Sequence, residues 1–189
     1  SMINRKFTSG EQVSLLGFGT MRLPLLPGKT EIDTATASQM VDLAYQSGVN
    51  YYDTAYTYHN GQSEVFIGRA LKKYPRDSFF LADKMPTWLL HDLSDIKRIF
   101  AHQLEKCGVS YFDFYLCHSV GKNDVDFINP YIKTGGLDYL RSLKAEGKIR
   151  RLGFSFHGNP EHLKLILSYG PWDFVQLQLN YLDWDVMKA

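Results

Sequence analysis

Phe112-Asp113-Phe114-Tyr115-Leu116-Cys117-His118 is a near-continuous apolar run that closes on an imidazole. A run of this kind suits a parallel strand covered on both faces, not a half-exposed strand of alternating character. Similar runs occur at Leu15–Gly19, Val49–Asp53, Ser78–Lys84, Arg151–Ser155 and Phe174–Leu179. Their starts lie roughly 25–40 residues apart, the length of one βα unit with its loops.

Helices fit between the runs. Ser94 is placed to cap a helix that carries Ile96, Ile99, Phe100, Leu104 and Cys107 on one stripe, and Gly108 closes it. Asn159-Pro160 is a cap followed by proline at the first helical position, with Gly170 at the far end. Gln39–Gln46, Glu64–Lys73 and Leu137–Ala145 are the other helices. Gly48, Gly108 and Gly147 each stand just past a helix and before a strand. Ile3–Phe7 and Gln12–Leu15, joined through Ser9-Gly10, read as a β-hairpin ahead of the first unit. The alternation predicts an α/β fold with a parallel sheet in one domain over residues 1–189. Six strands leave two forms open, an open sheet or part of a barrel, because an eight-stranded barrel takes about 250 residues. The stretch Gln176 to Trp184 is expected to leave a strand as an apolar loop, as at a truncation.

Composition excludes several functions. The 189 residues are 44% hydrophobic and 14% aromatic, ordinary for a globular chain. Lys and Arg number 21 against 20 Asp and Glu, a net charge of +1 that offers no footprint for nucleic acid or an anionic membrane. Lys144, Lys148, Arg150 and Arg151 make only a local cluster, read as a solvated helix end. No apolar run of about 18 residues is present, so no membrane partner is expected. The N-terminus lacks the apolar segment of a signal peptide, which suggests a cytoplasmic protein. Cys107 and Cys117 fit neither a disulfide framework nor a zinc spacing, and read as small buried residues.

Four polar residues stand where strands end or in the loop just after: Asp53, Tyr58, Lys84 and His118. Each has a bland alternative taken alone, such as a turn aspartate or a structural histidine. As a set they make a proton-transfer group. A phenol has a pKa of about 10, too high to exchange protons readily at neutrality. An ammonium lowers it, a carboxylate keeps the ammonium charged, and an imidazole orients a substrate oxygen. The matching substrate is a carbonyl that becomes an alkoxide. A metal-dependent hydrolase using Asp53, His59, His118 and His157 is the weaker alternative, since no HxH pair occurs; no metal is expected. Trp88, Leu89 and Leu90 follow Lys84 and form either an apolar wall beside the site or a loop packed on a rim.

The motifs Leu16-Gly17-Phe18-Gly19-Thr20, Asp53-Thr54-Ala55-x-x-Tyr58 with Ser63-Glu64, the Lys84 strand end, Asp113-x-Tyr115-Leu116-x-His118, Gly147-Lys148-Ile149-Arg150 and Leu152-Gly153-Phe154-Ser155 occur in one order. In that order the chain resembles the aldo-keto reductase superfamily, from Val13 to Trp184. No GxGxxG is present to suggest a Rossmann domain. The resemblance implies a (β/α)8 barrel of TIM type, here incomplete at about six βα units. It implies reduction of an aldehyde or ketone, a small carbonyl substrate, by NAD(P)H, with NADP the expected cofactor and NAD the alternative. Asp53, Tyr58, Lys84 and His118 would be the catalytic tetrad. Ser155 and Gln176 would hold the nicotinamide carboxamide, and Gly19, Thr20 and Met21, with Asp53, would line the cofactor. Many members have asparagine after that serine, where this chain has Phe156 and His157. A finer resemblance is to a bacterial and archaeal branch with Gly19-Thr20-Met21-Arg22-Leu23-Pro24, whose longer members often carry a cysteine-rich, ferredoxin-like C-terminal segment; no cluster is expected here. In the family the cofactor's adenosine and pyrophosphate are held largely beyond the sixth strand. Residues 1–189 alone are therefore expected to bind it weakly, and to self-associate through open barrel edges. A redox-sensing or regulatory protein on the same scaffold is the alternative function.

Overall fold

The computed structural model describes residues 4–6, 10–14, 16–123, 125–177 and 180–183. They divide into two compact units, one of Ser1–Asp83 with Gln103–Ser110 and one of Lys84–His102 with Tyr111–Ala189.

In the first unit, β1 (Asn4–Lys6) and β2 (Gln12–Ser14) pair antiparallel as the expected hairpin. Next, β3 (Phe18–Gly19) pairs parallel with β4 (Tyr51–Asp53), and β4 pairs parallel with β5 (Phe80–Met85), whose last two residues belong to the other unit. Of the strand expected over Leu15–Gly19, Phe18–Gly19 is strand among the described residues, Leu16 is exposed, and Leu15 lies outside them. Helix α1 (Thr34–Gln46) starts five residues before the expected Gln39. Asp33 is the reason: its carboxylate accepts from Thr36 N at 3.1 Å and Thr36 Oγ1 at 2.8 Å, and so satisfies the first turn. Helix α2 (Gln62–Leu71) turns Phe66, Ile67 and Leu71 inward, and Tyr52, Phe79 and Leu81 are buried with them in this unit's core.

In the second unit, β6 (Phe112–Val120), β7 (Ile149–Phe156) and β8 (Phe174–Leu177) are parallel. Among the described residues there are therefore six parallel strands in βα alternation. Helix α3 (Leu93–Cys107) begins on Asp92, not on Ser94. The Asp92 carboxylate takes the Asp95 N–H at 3.1 Å and the Ser94 hydroxyl, so Ser94 supports the cap rather than being it. A short turn, α4 (Val125–Phe127), and the wider turn Ile128–Ile132 follow β6 and were not foreseen. Then come α5 (Gly136–Ala145) and α6 (Pro160–Ser168), the latter capped by Asn159 with Pro160 at its first position, as expected. Positions 178, 179 and 184 of the expected strand end and apolar loop lie outside the described residues; at 180–183 the expected loop is instead β9 (Asn180–Asp183), which runs antiparallel along β8, Gln176 opposite Tyr181.

Aromatic rings fill this unit's core. Phe114 meets Phe174 edge-on at 5.3 Å, and Phe154 meets Trp172 at 4.9 Å. Trp172 is fully buried, and its indole N–H donates to the Ile166 carbonyl at 2.9 Å, so no polar group is stranded. Gly153 is required at its place. A Cβ there would lie 2.4 Å from the Phe174 carbonyl oxygen and 2.8 Å from its ring. Gly153→Ala is expected to lower stability by about 1–3 kcal/mol, measured as a fall in denaturation midpoint with an unchanged m-value.

Candidate functional site

In the first unit the candidate residues are held by a chain of buried hydroxyls. Asp53 is the last residue of β4, half-buried, and stands opposite Gly19 in register. Its carbonyl accepts from Thr20 N at 3.1 Å and from Thr20 Oγ1 at 2.9 Å. Ser63 Oγ in turn donates to Thr20 Oγ1, and the Thr54 and Ser63 hydroxyls lie 2.8 Å apart. Since Ser63 has spent its proton on Thr20, Thr54 is the donor in that last bond. Thr20, Thr54 and Ser63 are completely buried, and each hydroxyl donates once, so the relay is satisfied. It ties the ends of β3 and β4 to the start of α2. Thr20 therefore serves the site by shaping it, its hydroxyl being occupied within the protein.

Tyr58 opens a tight turn over Tyr58–Gly61 and is half-buried. His59, Asn60 and Gly61 follow with φ of 52°, 55° and 86°. Left-handed backbone at two successive non-glycine residues is costly and persists only where surroundings impose it. Here the Leu23 N–H donates to His59 Nε2 at 3.0 Å. That bond occupies one of the two ring nitrogens of His59 and ties the turn to Leu23. Met21 is exposed at 56%.

In the second unit Lys84, near the end of β5, is only 2% exposed. His118, near the end of β6, is half-buried. Burial, and then the Lys84 ammonium, push the His118 imidazole down to about 3, so it is neutral at neutral pH. Just after it, Ser119 has φ 54° and the β6–β7 register shifts between Cys117 and Val120. This bulge turns the Ser119 N–H onto Ser155 Oγ at 2.6 Å. Ser155 stands opposite Gln176 in the β7–β8 register. With its oxygen accepting from Ser119, the Ser155 hydroxyl still has a proton to donate, which fits a carboxamide oxygen. The Trp88 ring lies 5.2 Å from the His118 ring and is half-exposed, while Leu90 is buried at 8%. Trp88 is thus a wall beside His118, and Leu90 is packing.

The loops after β6 and β7 depend on two glycines that the sequence did not single out. Gly121 follows β6 and Gly158 follows β7; a Cβ on Gly121 would lie 2.2 Å from the Phe156 ring, and one on Gly158 would lie 1.6 Å from the Gly121 carbonyl oxygen. The two loops can cross only as glycines. Asp126 fixes the first of them, accepting from Gly121 N at 3.1 Å and Lys122 N at 2.8 Å. Both glycines sit in unremarkable sequence, so only the loop crossing reveals them.

Similarity to known proteins bears on the family and the fold. An NADH-specific methylglyoxal reductase of Escherichia coli (strain K12) is 29% identical over 194 residues, covering 93% of this chain and 58% of that protein. L-galactose dehydrogenase of Arabidopsis thaliana is 28% identical, covering 94% of this chain and 55% of that protein. An aldo-keto reductase from Bacillus halodurans in its holo form superposes with a TM-score of 0.76 at 29% identity, over 93% of this chain and 57% of that one. The fold is therefore that of an incomplete aldo-keto reductase barrel, and the chain spans little more than half the length of these relatives. No helix among the described residues is long and apolar enough to cross a membrane. The sequence matches the aldo/keto reductase family over residues 15–188, and the chain belongs to that family.

Proposed function

We propose that this chain carries the proton-transfer site of an NAD(P)H-dependent reductase that converts a small aldehyde or ketone to an alcohol. The observation that carries the reading is His118, a neutral imidazole beside a buried Lys84 ammonium. A neutral imidazole can orient a carbonyl oxygen by hydrogen bonding, but with its pKa near 3 it is no proton source at neutrality. The acid must then be another group, and Tyr58 is the candidate. In this proposal the Lys84 ammonium stabilises the phenolate left when Tyr58 gives up its proton, Asp53 pairs with that ammonium, and His118 orients the substrate. Trp88, at 5.2 Å from His118, supplies an apolar flank for the substrate's carbon side.

A nicotinamide dinucleotide would supply the hydride. Ser155 and Gln176, paired across β7 and β8, would hold its carboxamide, and Gly19, Thr20, Met21 and Asp53 would line its path. NADP is the proposed cofactor and NAD the alternative, which the name of the E. coli relative illustrates. Consumption of NADPH with a generic aldehyde, assayed in the full-length protein, separates this reading from a redox-sensing role on the same scaffold.

Two outcomes are expected. Tyr58→Phe abolishes turnover while cofactor affinity is nearly unchanged; a rate loss under roughly tenfold, about 1.4 kcal/mol, would show that Tyr58 is not the acid. His118 stays neutral by NMR titration well below pH 6. The linked stability has a definite sign. The folded state resists protonation between the ordinary histidine value of about 6.5 and the depressed one of about 3, while the unfolded chain takes the proton. Stability is therefore full above about 6.5 and falls as pH drops through that window, by up to about 1.4 kcal/mol per pH unit. His118→Gln should flatten that part of the stability profile, and an unchanged slope would contradict it.

A further inference from the structure

Away from the residues proposed for carbonyl reduction, the first unit holds a group of donors that the reduction does not use. Glu64 in the first turn of α2, Asp83 in β5 and Cys107 at the end of α3 are all buried, and their ligand-capable atoms lie within 4.8 Å of one another. Cys107 Sγ is 3.9 Å from Asp83 Oδ2. Glu64 is completely buried. Lys106 Nζ approaches Glu64 Oε1 at 2.9 Å as an ion pair, yet neither carboxylate oxygen receives a hydrogen bond among the described residues. The Lys106 ammonium offsets the burial of that carboxylate at Oε1, and Oε2 keeps a lone-pair face with no ion-pair or hydrogen-bond partner among the described residues.

The close approach is built into the sequence. Gly68 lies one turn along α2 from Glu64, and a Cβ there would fall 2.3 Å from the Cys107 carbonyl oxygen. Only glycine lets α2 come this near the last turn of α3, and that contact sets Glu64 against Cys107.

We propose that Glu64, Asp83 and Cys107 bind one divalent cation of zinc type. One thiolate with two carboxylates suits a borderline metal; calcium and magnesium would take oxygen donors alone. Zinc bonds of about 2.0–2.3 Å place donor atoms about 3.5 Å apart, so the cluster closes by about 1 Å around the ion. Lys106 then offsets the third anionic donor. Cys107 and Lys106 also line a cavity of about 250 Å³, which gives the ion a route and a water molecule its place as fourth ligand. In the metal-free cluster, burial and the Asp83 and Glu64 charges push the Cys107 thiol well up, so it is protonated. Binding replaces that proton with the metal: the S–H bond breaks, the sulfur–metal bond forms, and one proton goes to solvent per ion bound.

Cobalt(II) is the probe. Added to the folded 189-residue chain, it should give a thiolate-to-cobalt charge-transfer band in the near ultraviolet that saturates at one equivalent and disappears on adding zinc. The band should be lost in Cys107→Ser and in Glu64→Gln, each with unchanged circular dichroism, and kept in Cys117→Ser. Absence of the band from the folded wild-type chain, or its survival in Cys107→Ser, overturns the site. Should Cys107→Ser fail to fold, alkylation decides: zinc should slow modification of Cys107 in the wild-type chain by at least about tenfold, and equal rates with and without zinc overturn the proposal.

Discussion

A parallel strand covered on both faces has no side to spare for water, and that constraint governs this chain. Residues 81–85 of β5 and 112–117 of β6 are buried without interruption. Within such strands an ionisable group has to be held by its surroundings, or it neutralises. Asp83, Lys84, Asp113 and Arg151 are nevertheless in them, at 0%, 2%, 4% and 7% exposure. Arg151 lies with its guanidinium 5.7 Å from the Phe114 ring centre, so even this charge is set against an aromatic face. The polar groups in the strands are therefore the exceptions that the fold has to support, and function concentrates in such exceptions.

The support comes largely from backbone arranged at the strand ends. Beyond β4, a relay from Thr54 through Ser63 and Thr20 ends on the Asp53 carbonyl. Near the end of β6, a bulge with Ser119 in left-handed conformation sends an N–H to Ser155. Both devices spend backbone strain or buried hydroxyls to fix a loop beside a candidate site residue. Loops fixed in this way keep reacting groups at one geometry without needing them to pack in a core.

The element order, the hairpin and five of the main helices were legible because their signals are local. Apolar runs, a cap such as Asn159-Pro160 and a glycine after a helix all act within a few residues. The errors share one cause as well. Asp33 and Asp92 start their helices through short-range acceptance that competes with nearby Thr and Ser, so sequence alone placed one start late and chose the wrong cap at the other. The return of β9 along β8 depends on pairing, which an apolar pattern does not specify. Candidate site residues were legible as strand-end residues, because a lysine closing an apolar strand is conspicuous. Gly121, Gly158 and the Thr54–Ser63 bond were not, since each is defined by a partner distant in sequence.

Asp83 and Lys84 show how one strand can serve two purposes. Successive side chains of a strand point to opposite faces. In β5 that alternation puts the ammonium that acts on His118 on one face and the carboxylate that meets Cys107 on the other. A register slip of one residue would swap their faces, putting a carboxylate on the side of the imidazole and an ammonium on the side of Glu64 and Cys107. The pairing of Asp53 with Ala82 across β4 and β5 forbids that slip. The same pairing therefore fixes the Asp83 carboxylate and the Lys84 ammonium together on opposite faces of β5.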